Sequence, residues 1–126
     1  TWWPGRIKPG ESDRIVCTVD LPASVAALTG QTLKDDACPD SFNVLPALLG
    51  EANAKGRDHL VEQGRGLALR DARWKLIRHR GRNGRIELFD LQNDPAEKTN
   101  VADQHKDRVK AMDDRLQSII DAGRSR

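Results

Sequence analysis

The stretch RDHLVEQGRGLALRDARWKLIRHRGRNGRIELFDL, residues 57–91, sets the architecture of the chain. It contains aliphatic runs of about five to seven residues, the usual length of antiparallel strands. The connections are short, and Asn83-Gly84 indicates a type I′ hairpin turn because both residues accept positive φ angles. The stretch predicts a β-meander with strands at 59–63, 66–70, 73–79 and 85–91.

An amphipathic helix is predicted after the meander. Apolar residues recur there at three- and four-residue steps between charged ones, which places them on one helical face: Val109, Met112, Leu116, Ile119 and Ile120. We therefore expect an α+β fold, in which this C-terminal helix covers a small antiparallel sheet. Between sheet and helix, Asp94-Pro95-Ala96-Glu97 has the residues of a capping-box turn.

The residues before the meander predict a strand and a helix. The β-branched run 14–19 is typical of a short strand. Asp20 is a helix cap and Gly30 a helix stop, with Pro22 in the first turn. The predicted helix has one apolar stripe, formed by Leu21, Val25 and Leu28.

A subdomain boundary is expected near residue 56. Residues 42–49 predict a short buried helix, and the small, polar stretch 51–56 follows it. We place one unit at 1–56 and a second at 57–126.

Composition and charge exclude some classes of protein. The net charge is +2 over 126 residues, so no general attraction to nucleic acid or to an anionic membrane is indicated. No stretch approaches the roughly 18 apolar residues that cross a bilayer. The start, Thr1-Trp2-Trp3-Pro4-Gly5, lacks Met and a signal pattern, so we expect the chain to begin within a longer protein. Cys17 and Cys38 leave a disulfide and free thiols both open.

Several blocks in fixed order extend along nearly the whole chain. They are Trp3-Pro4-Gly5-Arg6-Ile7, Val19-Asp20-Leu21-Pro22-Ala23-Ser24, Ala27-Leu28-Thr29-Gly30, Leu67-Ala68-Leu69-Arg70-Asp71-Ala72-Arg73-Trp74-Lys75-Leu76-Ile77, Glu87-Leu88-Phe89-Asp90-Leu91, Asp94-Pro95, Glu97 and Asn100-Val101-Ala102. In order and spacing they resemble the C-terminal third of type I sulfatases, the arylsulfatase family. The resemblance implies that 1–56 is the edge of a large α/β domain and 57–126 the C-terminal subdomain.

The resemblance also implies where the chemistry lies. Sulfatases hydrolyse sulfate esters with a formylglycine made from Cys or Ser in a C/S-x-P-x-R motif, beside a calcium ion. Cys17 is followed by Thr18-Val19-Asp20 and Cys38 by Pro39-Asp40-Ser41, so neither begins that motif. We assign no catalytic and no metal-binding residue to this chain, and expect a missing N-terminal catalytic domain to supply both. The resemblance further suggests export, periplasmic or secreted.

His59 is the one candidate for a substrate contact. It opens the first strand of the meander, close to where the family's small subdomain faces the active-site mouth, and a structural histidine is the alternative. His79 and His105 lie in charge-rich stretches and receive no role.

The charged clusters can be interpreted as solvated surface or as ligand-binding sites. Adjacent carboxylates at Asp35-Asp36 and Asp113-Asp114 point apart, which favours solvated surface over a calcium site. Basic residues crowd one hairpin: Arg70, Arg73, Lys75, Arg78, Arg80, Arg82 and Arg85. A solvated sheet edge is favoured over polyanion binding. Trp74 is the only aromatic residue in the cluster, which weakens the interpretation as a nucleic-acid-binding surface.

Two smaller features complete the sequence analysis. Ala72 stands where the family often has Gly, which costs about 1 kcal/mol if the turn needs positive φ. Trp2 and Trp3 are expected in a core that the missing domain completes, or in an exposed patch that promotes self-association.

Two functions follow. The first is a C-terminal fragment of a sulfuric ester hydrolase that completes the fold and one wall of the substrate pocket without being catalytic alone. The alternative is a stand-alone, non-catalytic oligomerisation or polyanion-binding module.

Overall fold

The computed structural model describes residue 1 and residues 3–64, 66–81 and 84–126. This part of the chain divides into two compact units. The N-terminal unit comprises residues 1–58 together with Arg126, and the C-terminal unit comprises residues 59–125.

The C-terminal unit is built on a four-stranded antiparallel sheet in the order β1-β2-β3-β4. The strands are β1 (Leu60–Gln63), β2 (Gly66–Arg70), β3 (Trp74–His79) and β4 (Ile86–Asp90). The predicted meander is confirmed, with strand ends that differ from the prediction by no more than about one residue. The predicted turn at Asn83-Gly84 includes Asn83, which lies outside the described residues, while Gly84 has a φ of 41°.

Helix α3 (Lys106–Ala122) covers one face of this sheet, as predicted. Gly123 ends the helix in the left-handed conformation, with a φ of 64°. The buried core between helix and sheet is aliphatic apart from one tryptophan and one methionine, and consists of Leu69, Trp74, Leu76, Leu88, Met112 and Leu116. The α+β class is therefore confirmed.

The β2–β3 turn does not require positive φ at Ala72, so the conditional cost does not arise. Ala72 is not among the described non-glycine residues with positive φ. Instead the Asp71 carboxylate accepts hydrogen bonds from the backbone N–H groups of Arg73, at 2.9 Å, and Trp74, at 2.7 Å. An aspartate that bonds its own turn in this way removes the need for glycine.

The predicted capping box at 94–97 is wrong in its side-chain pairing. No helix starts there; the next helical turn is a 3-10 helix at Ala102–Gln104. The Glu97 carboxylate accepts a hydrogen bond from the Lys75 ammonium at 2.9 Å instead of returning to Asp94. The Asp94 carboxylate accepts the Thr99 N–H at 2.7 Å.

The N-terminal unit contains a 3-10 helix (Thr18–Asp20), α1 (Leu21–Leu28) and α2 (Leu45–Leu48). The strand expected at 14–19 is not formed: its one backbone bridge joins Ile15 to Arg57. A strand needs a partner over several residues, and in the described chain this segment has one for a single residue. The second helix is also shorter than the predicted 42–49 and is only partly buried.

Helix α1 ends as predicted. Gly30 adopts a φ of 70°, and the Gln31 N–H donates to the Ala26 carbonyl at 2.8 Å, while the Gly30 N–H donates to Ala27 at 3.2 Å. This pair of bonds is a Schellman motif.

Candidate functional site

His59 lies directly before β1 and is buried, with 5% of its surface exposed. Its Nδ1 atom is 2.9 Å from the Arg115 guanidinium on α3. A substrate would reach the ring only if neighbouring side chains moved. The role of His59 in substrate contact stays a prediction.

The other two histidines make contacts that the sequence did not predict. His79 Nε2 lies 2.6 Å from the Glu87 carboxylate, which also pairs with Arg85 at 2.6 Å. His105 packs edge-on against Trp74, with ring centroids 4.9 Å apart. The contact between His79 and Glu87 could have been predicted from the register of this hairpin. In that register the His79 N–H donates to the Arg85 carbonyl at 2.9 Å.

Arg70 on β2 and Lys75 and Arg78 on β3 lie on the inner strands of the sheet, whereas Arg85 directly precedes the edge strand β4. The edge interpretation is therefore wrong for Arg70, Lys75 and Arg78. Of the predicted cluster, Arg82 lies outside the described residues.

Four of these cations face carboxylates instead. Arg73 pairs with Asp90 at 2.7 Å, and Lys75 with Glu97 at 2.9 Å and Glu62 at 3.2 Å. Arg78 reaches Asp113, and Arg85 reaches Glu87. Local neutralisation of this kind lowers the positive field that would attract a polyanion.

Two of the pairs shift the pKa of their members. The hydrogen bond to Asp90 raises the pKa of Arg73, and the same bond lowers the pKa of Asp90. Burial acts to lower the pKa of Lys75, but the hydrogen bonds and charges of Glu97 and Glu62 outweigh it and raise the pKa. Both cations are charged at neutral pH and hold their partners by charge-assisted hydrogen bonds.

The paired carboxylates on α3 point apart, as expected. Asp113 accepts a hydrogen bond from the Arg78 Nε at 2.8 Å, whereas Asp114 pairs with Lys110. Among the residues with described positions, no group of three or more His, Cys, Asp or Glu side chains is arranged to hold a metal ion. The calcium ion that the resemblance implies therefore does not fit the described side chains.

Asp20, in the N-terminal unit, is a charged residue with 0% of its surface exposed. Its carboxylate was predicted to cap α1, and that prediction is wrong: it accepts the N–H groups of Cys17 and Phe42, each at 3.0 Å. It also forms an ion pair with Arg57 at 2.7 Å, and both side chains are 1% exposed. The sequence did not predict Arg57 as the partner of Asp20, because the two residues are far apart along the chain.

Two buried hydroxyls extend this polar core. Ser41 accepts the Ala23 N–H at 3.0 Å and Ser24 accepts the Val44 N–H at 3.1 Å. They bond the start of α1 to the segment before α2 from both sides. The arrangement satisfies buried backbone groups and therefore serves stability.

The apolar stripe of α1 faces outward. Leu21, Val25 and Leu28 are 48%, 52% and 43% exposed, and Trp3 is 41% exposed. They border a cavity of about 180 Å³ together with residues of α2. Trp2, which was expected with Trp3 in a core completed by the missing domain or in an exposed patch, lies outside the described residues.

None of the described helices is long and apolar enough to span a membrane. The described residues form a helix-backed antiparallel meander and, before it along the chain, a short helical unit. The chain belongs to the family of N-sulphoglucosamine sulphohydrolase C-terminal domains, whose model matches residues 1–122. The resemblance to sulfatases is thereby confirmed.

The curated relatives that match most of this chain are sulfatases. The chain is 34% identical to an N-acetylgalactosamine-6-O-sulfatase of Bacteroides thetaiotaomicron, over 93% of this chain and 26% of that protein. It is 29% identical to arylsulfatase K of Xenopus laevis, over 92% of this chain and 24% of that protein. The chain thus spans about a quarter of the length of these relatives.

A solved structure agrees with the fold. A Bacteroides thetaiotaomicron structure from work on the metabolism of multiple glycosaminoglycans (BT33336S-sulf) superposes with a TM-score of 0.83 at 34% identity. The match covers 93% of this chain and 27% of that one.

Proposed function

We propose that this chain is the C-terminal part of a sulfuric ester hydrolase, in which it completes the fold and forms one wall of the substrate pocket. The observation that carries the proposal is the family match over residues 1–122, combined with a span of 26% of a sulfatase relative. In this reading residues 1–56 are the edge of the large α/β domain, and residues 57–126 are the C-terminal subdomain.

The chain is not catalytic by itself in this proposal. Sulfate ester cleavage needs an activated nucleophile, a cation to neutralise the sulfate oxygens and an acid for the leaving group. The described residues offer no metal-holding cluster, and neither Cys17 nor Cys38 begins the formylglycine motif. Calcium and formylglycine would belong to the missing N-terminal catalytic domain.

A sulfated sugar is the proposed substrate class. A relative that is 34% identical carries the name N-acetylgalactosamine-6-O-sulfatase, which supports a sulfated amino sugar as the first substrate to try. His59 remains the proposed substrate contact in the C-terminal subdomain. Export to the periplasm or outside the cell is proposed on the same resemblance.

The polyanion-binding alternative is weakened by the ion pairs of the hairpin. Arg73, Lys75, Arg78 and Arg85 each face a carboxylate. A polyanion would have to displace these carboxylates, which offsets the gain from releasing the counterions condensed on the polyanion.

The proposal is tested by sulfate release from the intact gene product. With calcium present, we expect hydrolysis of 6-O-sulfated N-acetylgalactosamine, loss of activity on chelation, and no hydrolysis by residues 1–126 alone. A matched phosphate ester is the control for nonspecific ester cleavage. Absence of sulfate release from a panel of sulfated sugars would contradict the proposed function.

A further inference from the structure

Arg126 belongs to the N-terminal unit, although it is far along the chain from the other residues of that unit. Its guanidinium reaches the loop of residues 34–39, where the Nη2 atom donates hydrogen bonds to three backbone carbonyls. These are the carbonyls of Ala37 at 3.0 Å, Asp35 at 3.3 Å and Lys34 at 3.5 Å. The Arg126 backbone N–H donates to a fourth carbonyl of the loop, that of Pro39, at 3.2 Å. Four carbonyls of one loop therefore converge on one residue.

The conformation of this loop gains little from its own side chains. Most of them are exposed, and Cys38 adopts a φ of 53°, in the left-handed region that residues with a Cβ atom rarely occupy. A carbonyl oxygen only accepts hydrogen bonds, so carbonyls that converge need a donor between them. Because a charged guanidinium donates stronger hydrogen bonds than a neutral group, Arg126 is suited to hold them together.

The two ends of the loop are held differently. After the far end, the buried Ser41 hydroxyl accepts the Ala23 N–H at 3.0 Å, which ties that side to α1. At the near end one turn, closed by the Ala37 N–H on the Lys34 carbonyl at 3.0 Å, is held by Arg126. Removal of the guanidinium should therefore free this turn and leave the Ser41 side in place.

Arg126 also borders a hollow of about 280 Å³ in the same unit. Another wall consists of three small side chains of α1, those of Ala23, Ala26 and Ala27. The segment 31–33, which leads into the loop, lines the hollow as well. Since Arg126 both lines the hollow and fixes the loop that continues its wall, its withdrawal would widen the opening.

We propose that Arg126 is a latch on the loop 34–39. With the guanidinium among the carbonyls, the loop is held and the hollow beside α1 is closed on that side. With the guanidinium withdrawn, the turn at the near end becomes mobile and the hollow opens. The family model matches residues 1–122, so Arg126 lies beyond the matched part, and the latch does not follow from the proposed function.

The test is hydrogen–deuterium exchange of the intact gene product, read by mass spectrometry. Arg126→Met keeps an unbranched stem and removes the guanidinium donors. We expect peptides that cover residues 34–37 to exchange at least about tenfold faster in this variant, because an amide exchanges when its local structure opens. Peptides from α1 should keep the wild-type rate.

Arg85→Met is the matched control, because it removes an arginine of the C-terminal unit whose side chain is 71% exposed. It should leave exchange over residues 34–37 unchanged. Unchanged exchange in Arg126→Met would overturn the latch. An equal increase in the turn and in α1 would also overturn it, since that pattern is a general loss of stability.

If Arg126→Met fails to fold, Arg126→Gln takes its place. Glutamine keeps a polar side chain but is shorter, so its amide does not reach the three carbonyls. The same local increase over residues 34–37 is expected, and wild-type exchange there would overturn the latch.

Discussion

At the scale of single residues, the N-terminal unit contains a buried ion pair between Asp20 and Arg57. The carboxylate accepts two backbone N–H groups as well as the guanidinium, and Arg57 stacks on Phe42 with 4.5 Å between guanidinium carbon and ring centroid. A buried charge is tolerated only with partners of this kind.

Arg57→Met should strongly destabilise the N-terminal unit. The substitution keeps an unbranched apolar stem but leaves the Asp20 charge buried without its cation, which costs about 3–5 kcal/mol in comparable pairs. Urea unfolding of the variant measures the loss. Arg73→Met is the matched control, since its side chain is 49% exposed and solvent screens that pair. Equal losses in the two variants would contradict the account.

His59 should carry its proton on Nε2. A guanidinium only donates hydrogen bonds, so the Nδ1 atom 2.9 Å from Arg115 must accept. The ¹⁵N spectrum of labelled histidine should show a pyridine-type Nδ1 and a pyrrole-type Nε2. Arg115→Met should shift the tautomer balance, whereas Arg108→Met, on the same helix, should not. A wild-type ring protonated on Nδ1 would refute the assignment.

At the scale of elements, the sequence predicts the C-terminal unit well. Each strand, and helix α3, is indicated by a local pattern of apolar residues in the sequence. Each element is about as long as its pattern. The N-terminal unit was predicted less well, because the run 14–19 has strand composition but little backbone to pair with. The outward stripe of α1 could not be foreseen, since periodicity identifies an apolar face without saying what covers it.

The partners of the ion pairs could not be predicted from the sequence either. Arg78 and Asp113, or Asp20 and Arg57, meet only through tertiary packing. Where a register was predictable, as across β3 and β4, the pairing of His79 with Glu87 was within reach.

Gly66→Ala should disrupt the β2–β3 pairing. A Cβ atom at Gly66 would overlap the Arg78 carbonyl oxygen, so the strands would have to separate, at a cost of about 1–3 kcal/mol. Gly64→Ala is the control, because nothing lies within 4 Å of its Cβ position. Thermal unfolding compares the two. An equally stable Gly66→Ala would show that the strands are not as close as described.

The β3–β4 hairpin should resist acid through Asp90. Its hydrogen bond with Arg73 lowers the pKa of Asp90, so the pair stabilises the fold fully above the unfolded-state value of about 3.9 and is lost as pH falls through the lower folded-state pKa. An NMR titration of the Asp90 carboxyl should give a midpoint below the ordinary value in the wild type. Arg73→Met should move that midpoint upward, and an unchanged midpoint would contradict the pairing.

At the scale of the whole molecule, the N-terminal unit lacks the cover that its surface composition calls for. Trp3 and the α1 stripe are half exposed, whereas the C-terminal unit has a closed core in which Leu76, Leu88 and Leu116 have no exposed surface. Apolar surface of this extent is stabilised by burial in a larger assembly. A longer sulfatase polypeptide provides that cover in the proposed function.

The most direct test is the intact mass of the protein translated from its native gene. The chain described here has a mass of 14.0 kDa, and a span of 26% of a relative predicts a gene product about four times heavier. Such a mass, with calcium-dependent sulfate release, is the result that the account predicts. A gene product near 14.0 kDa would contradict it and would favour the stand-alone module.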